Sequence, residues 1–290
     1  LVTVGVAASA AFVLRALTSA HPIVDLRILG DRTFAVGTAL MAVMGFGLYS
    51  SMVLLTFYLE HLLHYDAMTA GWVLSPGGLG SVISLAVAGR LVNRVDPRWL
   101  VSIGAAIIAY SLHLMASFNL AADFWTVLAS RFVQGLGMGL VFVPLTTTSL
   151  AAVPAARMAN ATGLYNVVRN VGASAGVAIL TTLLARQTQA HQAALVGRVT
   201  VWDPATAERL GLLERAFAAA GADPHTASQQ ALHRLYEEVQ RQAAMKAFVD
   251  DFRVIMWLFV AFVPAVWLMS RPVHHAPEEK EQSMAVVETA

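Results

Sequence analysis

From Thr33 to Leu59 the chain carries no charged residue. The same holds from Ala67 to Gly89, Trp99 to Ala122, Phe132 to Ala156 and Val254 to Ser270. A further run, Met158 to Ala185, contains one arginine, Arg169. A helix needs about 20 apolar residues to cross the hydrocarbon core of a bilayer. Inside that core, backbone is tolerated only as helix or closed barrel, because no water is present to satisfy its N–H and C=O groups. Runs of this length predict an all-α membrane protein whose partner along most of its surface is the lipid bilayer. Composition agrees: 57% of residues are hydrophobic and 13% charged, against about a quarter charged in soluble domains. A net charge of +1 provides no basic field for nucleic acid, and the absence of cysteine excludes disulfides and thiolate metal sites.

The predicted spans lie at about 33–59, 67–89, 99–122, 124–150, 158–185 and 252–270, six helices forming a bundle over 33–270. Residues 1–14, "LVTVGVAASAAFVL", read as the end of a truncated transmembrane helix, followed by a linker over 15–32. A cleaved signal peptide is the alternative for this piece, but it lacks a charged leading region and a small-residue cleavage site. The long loop 186–251 contains two helix starts, Asp203-Pro204 and Asp223-Pro224, each with Asp as cap and Pro at the first helical position. The second of these helices is expected to run into the sixth span. The polar tail 271–290 is expected to be disordered.

Sidedness follows from the distribution of Lys and Arg in short loops. Arg15, Arg27 and Arg32 precede the first span, Arg90, Arg94 and Arg98 separate the second from the third, and Arg157 separates the fourth from the fifth. Arg271 and Lys280 follow the sixth. The intervening loops, "EHLLHYD" and "FNLAAD", have no Lys or Arg. This places the basic loops and the C-terminus in the cytoplasm and loop 186–251 on the opposite side. Abundant alanine and a preference for arginine over lysine suggest a GC-rich bacterial genome, hence a multi-pass protein of a bacterial inner membrane.

Three stretches, in order, carry a resemblance: "GRLVNRVDPR" from Gly89, "RFVQGLGMG" from Arg131, and "GLYNVVRNVGASAG" from Gly163, with "PLTTTSLAAVP" between the last two. Their order, spacing and sidedness resemble the second half of a major facilitator superfamily transporter. The closest likeness is to the fourteen-helix drug:proton antiporters of the EmrB/QacA type. The resemblance implies a C-terminal six-helix bundle preceded by the end of an extra helix, with an N-terminal bundle missing from this chain. It implies proton-coupled multidrug efflux by alternating access and a small amphiphilic or drug-like substrate held between the bundles. It also implies no cofactor, and it admits a periplasmic adaptor protein as partner. The acids that carry protons in that family lie mostly in the absent bundle. Here Glu60, Asp66 and Asp123 sit at span ends, so the coupling residue is expected outside this chain. The loop Gly89, Arg90, Asn93, Arg94, Arg98 resembles the family's gating motif, with Asn93 replacing the usual Asp and Asp96-Pro97 out of pattern.

Polar residues at membrane depth are the remaining candidates. A charged side chain there costs roughly 2.5–3.5 kcal/mol on insertion scales unless it is paired or faces water. Arg131 and Gln134 lie one helical turn apart, beside Gly135 and Gly139, which form a close-packing surface. Asn166, Arg169 and Asn170 share a face with Thr162 and Ala173. These residues, with Met44 from a methionine stripe (Met41, Met44, Leu48, Met52), are the substrate-cavity candidates. Against them stand an arginine reaching the headgroups, helix–helix hydrogen bonding and ordinary core packing. Pro76, Gly77 and Gly78 interrupt the second run and Pro144 the fourth; all four are hinge candidates. No nucleophile–base set, P-loop or metal-ligand cluster is present in the spans, so an enzyme is not expected. The alternative to transport is a non-transporting membrane anchor or assembly module, as a truncated half-transporter could be.

Overall fold

The computed structural model describes residues 26–269, apart from 152, 198, 201 and 202. The segments expected to be a helix end at 1–14, most of the linker at 15–32 and the tail at 271–290 lie outside the described residues. Among the described residues there are helices and turns but no strand. After a 3-10 turn at Leu26–Gly30, α1 spans Arg32–Phe57 and continues as a π turn, Tyr58–Leu62. Next come α2 (Ala67–Leu74), α3 (Pro76–Leu91), α4 (Pro97–Met115) and α5 (Phe124–Ala151). They are followed by α6 (Met158–Val196), α7 (Pro204–Ala219) and α8 (Pro224–Val266). Five stretches are long and apolar enough to cross a membrane: Arg32–Leu62, Ala67–Leu91, Pro97–Met115, Phe124–Ala151 and Ala155–Val196. The apolar part of α8 begins at Val254 and is the sixth apolar run of the sequence.

Local chemistry sets the helix ends. Asp31, Asp66, Asp96, Asp203 and Asp223 each accept hydrogen bonds from backbone N–H groups of the first turn that follows them. Asp96 and Pro97, out of pattern in the gating-type loop, are thus the cap and first residue of α4. His64, at φ 56°, turns the chain out of the π turn toward α2. α4 stops at Met115, short of the expected 122. There Ser117 Oγ donates to the Leu114 carbonyl and Asn119 Oδ1 accepts from Ala121 N, so polar side chains replace helical partners. α6 runs eleven residues beyond the expected 185, and α8 absorbs the second helix of the long loop, so both project beyond the apolar layer.

Membrane helices gain little from hydrophobic transfer against one another, so close packing and interhelical hydrogen bonds hold them. α3 lies on α5 and α1 on α6, with α4 bridging α5 and α8, and α8 closing onto α6. Glycines permit the α3–α5 approach. A Cβ on Gly135 would strike the Gly77 carbonyl, and one on Gly139 would sit 2.5 Å from Leu85 N. Ser84 Oγ donates to the Leu136 carbonyl and accepts from Leu140 N, which adds a polar link to the same seam. The core holds Phe34, Met41, Met44, Leu54, Tyr58, Leu112, Phe252 and Phe259, all nearly inaccessible. Leu79, Val82, Ile103, Val171, Ile179 and Trp257 face outward, as a lipid-bathed surface requires.

Candidate functional site

Three helices meet around a cavity of about 170 Å³: Leu48, Tyr49 and Met52 from α1, Gly77 and Ser81 from α3, and Arg131, Gln134, Gly135 and Met138 from α5. α5 supplies both polar groups because Arg131 and Gln134 lie one turn apart on its inner face. Gln134 is 1% exposed. Its amide nitrogen donates to Ser51 Oγ at 2.9 Å, and Ser51 in turn donates to the Leu48 carbonyl at 2.9 Å. Its amide oxygen accepts from Arg131 Nη1. The guanidinium is therefore oriented by a chain of hydrogen bonds that ends on the α1 backbone.

Gly77 provides the room. A Cβ at that position would lie 2.8 Å from Arg131 Nε and 3.0 Å from its Cγ, so the arginine stem lies across the bare glycine of α3. Arg131 Nε is buried and has no hydrogen-bond partner. Among the described residues Arg131 forms no ion pair. The cavity thus presents a fixed cation with spare donors against a wall of Leu, Met and Tyr. That combination can receive an anionic headgroup and the apolar chain behind it.

A second, shallower cavity of about 530 Å³ opens between α1 and α6, lined by Tyr49, Asn170, Ala173, Ser174, Val177 and Ala178. Tyr49 borders both cavities, so the two open on one continuous face. Arg169 enters neither. Its guanidinium lies 6.0 Å from the centre of the Phe142 ring, a cation–π contact. Asn166 is occupied with its own helix, donating to the Thr162 carbonyl at 2.9 Å. The stripe of polar residues on α6 is therefore divided, with Asn170 facing the open surface and Arg169 turned into the α5–α6 region.

Met44 also leaves the site. It is 1% exposed and part of the core, so it fills space between helices and lines neither of these cavities. Leu48 and Met52, farther along the same stripe, do line it. Tyr49, Ser81 and Met138 were not singled out in the sequence. A single tyrosine in an uncharged span and a methionine in a glycine-rich run have no signal of their own; only the packing of α1 against α5 makes them neighbours.

The break at Ser75–Pro76 is present, with α2 and α3 meeting there. Pro76 cannot donate to the Trp72 carbonyl, and the Ser75 hydroxyl takes over that role at 3.1 Å. Gly78 faces open space, while Gly77 is occupied by Arg131. Pro144 is buried within a continuous α5. In the basic loop, Gly89, Arg90, Asn93 and Arg94 are exposed. Arg98 instead reaches across to donate to the Met269 carbonyl beyond the end of α8, next to an edge-on Trp99–Trp267 contact at 5.2 Å.

The sequence matches the Major Facilitator Superfamily over residues 6–207. It is 32% identical over 206 residues to the multidrug export protein EmrB of Haemophilus influenzae, covering 70% of this chain and 40% of that protein. Over 264 residues it is 28% identical to the fatty acid resistance protein FarB of Neisseria gonorrhoeae, covering 91% of this chain and 50% of that one. Over 273 residues it is 27% identical to EmrB of Escherichia coli, covering 94% and 52%. The chain spans about half the length of these curated relatives.

Proposed function

Because this chain belongs to the major facilitator superfamily, we propose that it is the C-terminal half of a proton-coupled exporter, and that the α1–α3–α5 cavity is the wall this half contributes to the substrate path. The observation that carries the reading is Arg131: a guanidinium held in place by Gln134, without a counter-ion among the described residues, in a largely apolar recess. The charge costs free energy at membrane depth, and a site that binds anions recovers that cost when occupied. The preferred cargo is an amphiphile with a carboxylate or similar head and an apolar body. The names of the multidrug export and fatty acid resistance relatives support this substrate class.

The face bearing both cavities is where a second bundle would dock, and rocking of the two bundles about the site gives alternating access. The basic loop at Arg90–Arg98 lies in the cytoplasm and the extended ends of α6 and α8 on the far side of a bacterial inner membrane, as the Lys/Arg asymmetry requires. Arg98, tied to the end of α8, restrains that loop during the rocking, and the Ser75–Pro76 break supplies a bending point. The projecting helices offer a surface for a periplasmic adaptor.

The test is drug and fatty-acid susceptibility of an efflux-deficient bacterium expressing the full-length gene. Wild type should confer resistance, and Arg131→Ala should lose it at equal amounts of membrane-inserted protein. Undiminished resistance in Arg131→Ala would remove the cavity from the substrate path.

A further inference from the structure

A second group of polar side chains lies on the α6–α8 seam, away from the cavities. Asp251 is 0% exposed. Phe248, Phe252 and Ile255 flank it on α8 and belong to the hydrophobic core. From α6, the Gln187 amide, oriented with its nitrogen toward α8, donates to the Ala247 carbonyl and to Asp251 Oδ1, both at 3.3 Å. Asp251 Oδ2 is buried and has no partner.

The adjacent Asp250 is in a different environment. His191 Nε2 on α6 lies 2.8 Å from its Oδ2, and Arg253 Nη1 donates to Oδ1 at 3.3 Å. The side chains of His191 and Asp250 are 31% and 33% exposed, so this pair reaches solvent at the long-loop end.

A buried carboxylate with an unsatisfied oxygen is costly, and a like charge one residue away adds to that cost. The two neighbouring acids sit in unequal surroundings. Asp250 has a histidine and an arginine at hand, whereas Asp251, enclosed with one oxygen unpaired, favours the neutral acid. The titratable groups at this level are Asp250 and Arg253 on α8, His191 on α6 and Tyr58 from the π turn, whose hydroxyl donates to the Asn119 carbonyl at 2.8 Å. α4 contributes apolar Leu112 and Met115 to the same core. Burial, then the Asp250 charge, push the Asp251 carboxyl from its ordinary 3.8 up to about 7.

We propose that Asp251 is a proton-binding site of this half: its carboxyl holds a proton while α6 and α8 are closed over it, and gives that proton up past the Asp250–His191 pair to solvent at the long-loop end when they part. The step transfers one proton from a neutral acid to water and leaves a carboxylate, and it needs no other reactant. Its use in export rests on the transport reading above, but the protonation itself does not.

The experiment uses the full-length protein in lipid. The infrared carboxyl band is titrated between pH 4 and 9 in wild type, Asp251→Asn and Asp250→Asn. Export in proteoliposomes is measured over the same range. A protonated-carboxyl band should titrate near pH 7 in wild type and be missing from Asp251→Asn. In Asp250→Asn, which keeps the buried acid, its midpoint should fall by about one pH unit. The pH midpoint of export should fall with it. The proposal is overturned by a wild-type band that titrates only in the ordinary carboxylate range, by a band that survives Asp251→Asn, or by an unmoved midpoint in Asp250→Asn. Export and infrared midpoints that move independently overturn the coupling. A band that titrates as expected in a protein showing no export would uphold the proton site and sink the transport reading instead.

Discussion

Replacing Arg131 with Met tests the cavity directly. Met retains most of the apolar stem that lies across Gly77 and removes the guanidinium. In wild type, the guanidinium donors not used by Gln134 are free for a carboxylate. Hydrogen bonds to charged groups contribute roughly 1.5–3 kcal/mol, or about 10–150-fold in affinity. Dodecanoate binding should therefore weaken by about that factor. Dodecanol, which has the same chain and no charge, should change by less than about threefold, since the stem's apolar contact is kept. The variant also strands the Gln134 amide oxygen, which costs about 1–3 kcal/mol of stability. The measured quantity is a ratio of two ligands on one variant, so this loss cancels. Equilibrium binding to the full-length protein in nanodiscs provides both constants. Equal weakening of the acid and the alcohol would refute the reasoning, because the arginine would then be shaping the bundle and not reading the headgroup. Arg131→Lys should fall between the two, since it keeps the charge and loses the fork.

Two glycines on one helix should respond in opposite directions. Gly78→Ala meets nothing within 4 Å and should stabilise α3 by about 0.5–1 kcal/mol, whereas Gly80→Ala places a Cβ 2.5 Å from the Phe132 carbonyl and should cost about 1–3 kcal/mol, both read as detergent melting temperatures. Pro76→Ala restores a backbone donor to the Trp72 carbonyl and should slow export without lowering expression; an unchanged rate would mean the break is not used. For sidedness, the chain has no cysteine, so single cysteines at 94 and 220 can be labelled with an impermeant thiol reagent in intact cells; 220 should react and 94 should not, and the reverse would invert the topology. Asp251 has a folded value of about 7 above its ordinary 3.8, so the stability its proton confers is complete below about pH 4 and lost as pH rises through 7. Asp251→Asn should accordingly melt higher than wild type at pH 8 and lose that advantage at pH 4.

The amino-acid order is enough to read the material and the frame. Uncharged runs of spanning length, the Asp-Pro helix starts and the glycines beside Arg131 are local facts, and one-dimensional physics is enough to read them: the length needed to cross a bilayer, and the need to cap orphan N–H groups. They marked out the helical frame, and with the ordered motifs they indicated the family. They also placed Arg131 and Gln134 on one face, since neighbours a turn apart are fixed by helical geometry alone. Which stripe faces what depends on how the helices pack. Met44 and Met52 look alike in sequence, yet one is in the core and the other in the cavity wall, because the direction in which α1 meets α5 is not encoded locally. Arg169 and Asn170 are adjacent, yet one turns to Phe142 and the other to the open face. In sequence Asp251 only closes the expected loop 186–251. It is buried because α6 runs past its expected end and brings Gln187 and His191 against α8. Contacts between residues as far apart in sequence as His191 and Asp250 depend on how whole helices pack, and no short window along the chain contains both partners.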